Sequence, residues 1–240
     1  MSRRKLSQTD NKYRRGVVAV SAGSKQYPGA AILAVGGARR GNAGYVKYLN
    51  SDAVLRDLIV SHYPDVVPIT KLTNEKVDSL VVGPGGATLA AIPDIPLVLD
   101  GSAIAKIKSQ KKRSALTVIT PHEGELKHLG LQLAGPREAF AQEIARMFGV
   151  IVVLKGPGTV VADSNRIFVD SIGGPELATA GTGDVLAGLI GSFLVSTKDG
   201  EDAFKLVCDA VALHSKAGRQ AAKKFTSVTA LEVLEELRSV

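Results

Sequence analysis

The tetrapeptide Gly181-Thr182-Gly183-Asp184 sets three small residues and one carboxylate at the head of an apolar run. Glycines let the main chain turn so that its N–H groups point into one concavity. A helix that follows adds the positive end of its dipole, and together they bind an oxyanion such as phosphate. A carboxylate beside such a hole repels phosphate, which is a cost unless it serves chemistry. Asp184 is therefore the candidate general base, taking a proton from a hydroxyl as a phosphoryl group reaches it. The same four residues also suit a plain helix start, with Thr or Asp as cap and Gly as turn. The flanking Ala178-Thr179-Ala180 and Val185-Leu186-Ala187-Gly188 weigh toward the anion hole.

Four other clusters carry chemistry of the same kind. In Lys155-Gly156-Pro157-Gly158-Thr159 a lysine can meet phosphate as a point charge, and glycines let the main chain approach a nucleotide. The alternative is a Gly-Pro turn with a solvated lysine. Gly83-Pro84-Gly85-Gly86 lacks the Lys-Ser/Thr of a Walker loop, which disfavours P-loop ATPase chemistry. It reads equally as a tight turn or a ligand contact. Thr120-Pro121-His122-Glu123-Gly124-Glu125 holds too few ligands for a structural zinc site. There Glu125 can hold Mg²⁺ through water, or be a first-turn acid favoured by the helix dipole. Asp100 ends another apolar run. His62, His128 and His214 fall on predicted helices and read as structural, and Cys208 reads as core.

The elements that position these clusters are short apolar strands. Gly16–Val20, Asp78–Val82, Pro96–Leu99, Ala115–Ile119 and Val150–Leu154 are runs of that kind, and four of the clusters directly follow such a run. Between them the spacing predicts helices over Pro28–Arg40, Asp52–Tyr63, Pro136–Phe148, Gly181–Leu194, Asp202–Phe225 and Thr229–Leu237. On the second of these, Val54, Leu55, Leu58 and Ile59 form the apolar face. Thr159–Ala162 and Arg166–Val169 flank a hairpin turn. All-apolar strands alternating with helices imply a mainly parallel sheet covered on both faces, with its ligand crevice along the carboxyl edge.

The chain has 240 residues, 45% hydrophobic and 22% charged, which excludes a disordered, collagen-like or disulfide-stapled chain. One cysteine gives no internal disulfide and fits a reducing, cytoplasmic setting. No apolar run approaches the ~18 residues of a membrane span. The net charge is +7. Six basic residues against Asp10 place five of those charges in residues 1–15. That basic tail is expected to be solvated or to meet a phosphate-bearing small molecule rather than nucleic acid, because no aromatic-interleaved basic stripe follows it. Lys106, Lys108, Lys111, Lys112 and Arg113 read as a solvated face. The expected organisation is a tail over 1–15 and one domain over 16–240.

Taken in order, these motifs resemble those of the NAD(P)H-hydrate dehydratases, carbohydrate-kinase-like enzymes of ribokinase-like fold. Tyr27-Pro-Gly-Ala-Ala31, Gly83-Pro-Gly85, Val98-Leu-Asp100, Thr120-Pro-His-Glu-Gly-Glu125, Leu154-Lys-Gly-Pro-Gly-Thr159 and Leu177-Ala-Thr-Ala-Gly-Thr-Gly-Asp-Val-Leu-Ala-Gly188 carry the likeness, over roughly residues 16–225. The resemblance implies a three-layer α/β sandwich and repair of the S-epimer of hydrated NADH or NADPH, with ADP or ATP as phosphoryl donor and Mg²⁺. It further implies that Lys155, Gly156, Pro157, Gly158, Thr159, Gly181, Thr182 and Gly183 bind the nucleotide. Ala31, Gly85, His122 and Asp184 would meet the hydrated dinucleotide, with Glu125 as the metal-associated acid. Two departures stand out. Asp100-Gly101-Ser102 replaces the usual Asp-Ala-Asp, and Gly173-Gly174-Pro175 replaces Gly-Asn-Pro. A small-molecule kinase on the same fold, or a non-catalytic nucleotide- or nucleic-acid-binding protein, are the competing readings. A homo-oligomer is expected, with small-residue helices such as Pro28–Arg40 packing within or between chains.

Overall fold

Nine strands form one sheet in the computed structural model, which describes residues 3–109 and 113–240. Lys111 and Lys112 lie outside the described residues. The strands are β1 (Val17–Ser21), β2 (Tyr45–Leu49), β3 (Val67–Ile69), β4 (Ser79–Val82), β5 (Leu97–Leu99), β6 (Thr117–Ile119), β7 (Ile151–Leu154), β8 (Val160–Ala162) and β9 (Ile167–Val169). Their order is β3-β2-β1-β4-β5-β6-β7-β8-β9. Pairing is parallel from β3 through β7 and antiparallel across β7-β8-β9. The predicted hairpin is the β8-β9 pair, with Val161 opposite Phe168.

The helices are α1 (Lys12–Arg15), α2 (Pro28–Arg39), α3 (Ala53–His62), α4 (Arg137–Phe148), α5 (Thr182–Leu194), α6 (Ala203–Lys224) and α7 (Ala230–Glu236). Alternate strand residues face opposite layers, as the pleat requires. Val18, Val20 and Val81 join residues of α2, α3, α5, α6 and α7 in one core cluster. Ala19, Leu80, Val82, Leu97 and Leu99 join α4 and two 3₁₀ segments in the other. This is the expected sheet between two helical layers.

Strands β2 and β3 were not expected from the sequence. β2 carries Lys47 at its centre, which breaks the apolar run; the side chain is buried and donates to Glu75 at 2.5 Å and to the Lys76 carbonyl. β3 is three residues long and contains Pro68. On α3 the expected apolar face keeps Leu55 and Ile59 buried and Leu58 packed against the core, and Val54 is exposed.

The small residues of α2 serve contact within the chain. A Cβ on Gly37 would lie 2.1 Å from the Val185 carbonyl oxygen, and one on Gly188 would lie 1.9 Å from that of Ala34. Helices α2 and α5 therefore touch backbone to backbone, which fixes the N-terminus of α5 over the sheet edge.

The tail is not free in solvent. Arg3 donates to the main-chain carbonyls of Arg40 at 2.8 Å, Val240 at 2.5 Å and Leu237. Arg4 pairs with Asp10 and Asp199, and Arg15 donates to the Ala43 carbonyl. Arg113 likewise departs from the solvated face expected of it, donating to the carbonyls of Pro93 and Ile95. Among the described residues no helix is long and apolar enough to cross a membrane.

Candidate functional site

Because β1 and β4 to β7 are parallel, the segments leaving their carboxyl ends meet along one edge of the sheet. Gly83 and Asp100 stand one residue past β4 and β5, His122 three past β6, and Lys155 one past β7. His122 and Lys155 are joined by a parallel β-bridge, and the Lys155 N–H donates to the Pro121 carbonyl at 2.8 Å.

Lys155 is the centre of the charge arrangement. Its Nζ lies 2.7 Å from Asp100 Oδ1 and 3.5 Å from Glu125 Oε2. Asp100 is buried and also accepts from the Thr120 hydroxyl at 2.7 Å. Burial pulls the Lys155 ammonium down, but Asp100 and Glu125 together outweigh it and hold its pKa above the usual lysine value. Glu125 accepts from the His122 N–H at 2.9 Å, closing a capping box over a 3₁₀ segment (Glu123–Leu129).

Asp184 occupies the third position of α5, whose cap is Gly181 in the left-handed region (φ 91°). Burial and the negative charge of Asp100, with a smaller push from Glu125, raise its carboxyl to about 7 despite the opposing Lys155. A carboxylate with that value is half ionised near neutrality, the condition for an efficient general base. Gly183 faces the lysine: a Cβ there would lie 3.2 Å from Lys155 Nζ.

A cavity of about 360 Å³ opens beside this cluster. Lys155, Gly156, Pro157, Gly158, Thr159, Thr182 and Gly183 line it, which brings together seven of the eight residues expected at the nucleotide; Gly181 caps the same helix just behind them. Its far wall is apolar, with Leu177, Leu186 and Val211. Ala31, Gly85, His122 and Asp184 stand outside this cavity. Ala31 is fully buried against Gly23, and Gly85 lies against Ala30, Gly23 and Tyr27, so these two mark a separate end of the edge near β1 and β4. His122 is exposed, joined to the lysine by the bridge, and its Nδ1 accepts from the Gly124 N–H.

Two titratable residues of the cavity wall were not assigned to the site from the sequence. Asp170 follows β9, is buried, and accepts from the Ser215 hydroxyl at 2.7 Å and the Gly173 N–H at 3.0 Å. An acid directly after an apolar run was the available signal. His214, read as structural, lines the cavity from α6. Burial lowers its pKa to about 4 against the Thr182 main chain and Asp170, so it is neutral. Nothing in the α6 periodicity marks it.

A mainly parallel sheet between two helical layers, with the Gly181-capped start of α5 at its carboxyl edge and a cavity beside it, defines a protein of the ribokinase-like class. The family model for NAD(P)H-hydrate dehydratase matches residues 18–239, and the chain belongs to that family. It is 36% identical over 203 residues to a bifunctional NAD(P)H-hydrate repair enzyme of Mycobacterium leprae, covering 78% of this chain and 42% of that one. It is 31% identical over 244 residues to the ADP-dependent (S)-NAD(P)H-hydrate dehydratase of Lactococcus lactis, covering 92% and 88%. The crystal structure of the ADP/ATP-dependent NAD(P)H-hydrate dehydratase of Bacillus subtilis, co-crystallised with ATP and Mg²⁺, superposes with a TM-score of 0.87 at 27% identity, covering 97% and 91%. The chain spans under half the length of the bifunctional relatives.

Proposed function

We propose that this chain dehydrates the S-epimer of hydrated NADH or NADPH at the expense of ADP or ATP. The observation that carries this reading is Asp184, a carboxyl raised to about 7 at the head of α5, beside a cavity whose phosphate end is Lys155, Thr182 and Gly183. Hydroxide is a poor leaving group and phosphate a good one. Asp184 takes the proton of the ring hydroxyl, and the freed oxygen attacks the terminal phosphorus of the nucleotide. The bond from that phosphorus to the nucleotide's bridging oxygen breaks. Loss of a ring proton and departure of inorganic phosphate then restore the carbon–carbon double bond, with no change of oxidation state. The main-chain N–H groups at Gly181–Gly183 stabilise the charge on the moving phosphoryl group.

The hydrated ring would lie between Asp184, His122, Gly85 and Ala31, and the nucleotide in the cavity. Among the described residues no three His, Cys, Asp or Glu side chains form a metal cage. Lys155 already sits against Asp100 and Glu125. Such a donor set fits magnesium carried mainly by phosphate and water, with Glu125 at its outer shell. Bound there, it would spread the phosphate charge during transfer.

The test is to supply hydrated NADH, and separately hydrated NADPH, with ADP or ATP and Mg²⁺, and follow the reduced-nicotinamide absorbance band. Recovery with either nucleotide is expected. No recovery in any combination sinks the reading.

A further inference from the structure

Arg137 is the first residue of α4 and belongs to none of the motifs above. Its side chain is about one-fifth exposed and makes three contacts that converge on the site. Nη2 donates to the carbonyls of Leu154 at 3.2 Å and Lys155 at 3.1 Å, and Nη1 pairs with Glu123, next to His122. The guanidinium also presses on the following residue. Gly156 has φ +138°, and a Cβ there would lie 2.9 Å from Arg137 Nη2.

We infer that Arg137 is a positioning residue that holds the Lys155–Thr159 main chain in its nucleotide-binding path. The inference rests on the proposed nucleotide site but names a residue outside the cavity wall. The geometry has two physical effects. Pinning the Leu154 and Lys155 carbonyls fixes the peptide that orients the lysine side chain toward Asp100 and Glu125. The same bonds cover two carbonyl oxygens with a cation, so an arriving phosphate meets N–H groups and positive charge rather than carbonyl lone pairs. Only a planar fork spans two carbonyls and a carboxylate at once; an ammonium on a flexible stem cannot.

The experiment measures ATP and ADP binding to the full chain by calorimetry in Mg²⁺, beside the repair assay. Arg137→Gln is expected to weaken ATP about tenfold, from the loss of charge-assisted bonds. Its kcat at saturating nucleotide should stay within about threefold of wild type, so the loss appears in KM. Arg137→Lys should fall between the two. Arg137→Ala should recover part of its affinity when methylguanidinium is added. Glu143→Gln, exposed on the same helix and away from these contacts, should bind ATP like wild type, so it controls for the helix itself. Wild-type ATP affinity in both Arg137→Gln and Arg137→Ala, or a lowered Tm with unchanged affinity, overturns the inference. Absence of repair by wild type, with the Arg137 effect on ATP binding intact, overturns the reaction and leaves the positioning role standing. Absence of nucleotide binding by wild type overturns both.

Discussion

The two edges of the sheet use charge in opposite ways. At the amino edge, the tail residues Arg3, Arg4 and Arg15 commit their guanidinium groups to main-chain carbonyls and surface acids. At the carboxyl edge one half-buried lysine stands among three acids, and Asp184 is raised to about 7. Residues 1–15 carry five of the seven net charges, and the carboxyl edge carries the raised Asp184. Placement in low dielectric, not the count of charges, makes a reactive group.

The largest effect that separates the edges is the loss of Asp184. Asp184→Asn removes the proposed base and keeps the shape, so turnover should fall about 10³-fold. ATP affinity should stay within about threefold. Turnover within tenfold of wild type would take Asp184 out of the base role. In the wild type, kcat/KM should rise with pH up to a bend near 7, because the base works only when ionised. Asp100→Asn removes a charge that raises Asp184, so the bend should move to lower pH.

Next in size is Lys155→Met. It leaves Asp100 and Glu125 facing each other across a gap with no cation. Breaking a buried pair from one side costs about 3–5 kcal/mol, so Tm should fall by several degrees even without nucleotide. An unchanged Tm would show that the acids are hydrated enough to do without the lysine, and that the two edges differ less than their geometry suggests.

How much of this was legible depends on whether the signal was local. Strands β1, β4, β5, β6 and β7 are short, mostly apolar runs, and the clusters that follow the last four announced the carboxyl edge. β2 was hidden because Lys47 belongs to a strand but finds its partner, Glu75, 28 residues away. Asp100 was seen as a strand end, but its role as the lysine's partner needs the adjacency of β5, β6 and β7, which no spacing encodes. His214 and Arg137 were missed for the same reason. Each sits on an ordinary amphipathic helix, and only the packing of that helix brings it to the site.

His214 gives a smaller effect, and one that belongs to the carboxyl edge alone. Its pKa falls from 6.5 unfolded to about 4 folded, so the folded state favours the neutral ring. The stabilisation is complete above the unfolded value and is lost as pH falls from about 6.5 toward 4. From pH 7 to pH 5 the loss should be about 2 kcal/mol, by linkage. Denaturant titrations at the two pH values should show it, and His214→Gln should flatten that part of the profile. Equal flatness in the wild type would mean that the ring accepts a proton in place.

The smallest expected effect is the sharpest control on the comparison. Arg3 closes the amino edge by tying the chain start to the α2 and α7 ends through the carbonyls of Arg40, Leu237 and Val240. Arg40 and Val240 are part-exposed, so water replaces the guanidinium at their carbonyls once it is gone, and only the buried Leu237 carbonyl loses a partner. Arg3→Ala should therefore cost only about 1 kcal/mol of stability. Because the tail lies at the opposite edge from Lys155 and Asp184, the repair rate and ATP affinity should stay within about twofold of wild type. A tenfold loss of either, with the fold intact by circular dichroism, would mean that the amino edge reaches the chemistry. The tail would then be a working part of the site, and the division of labour between the two edges would fall.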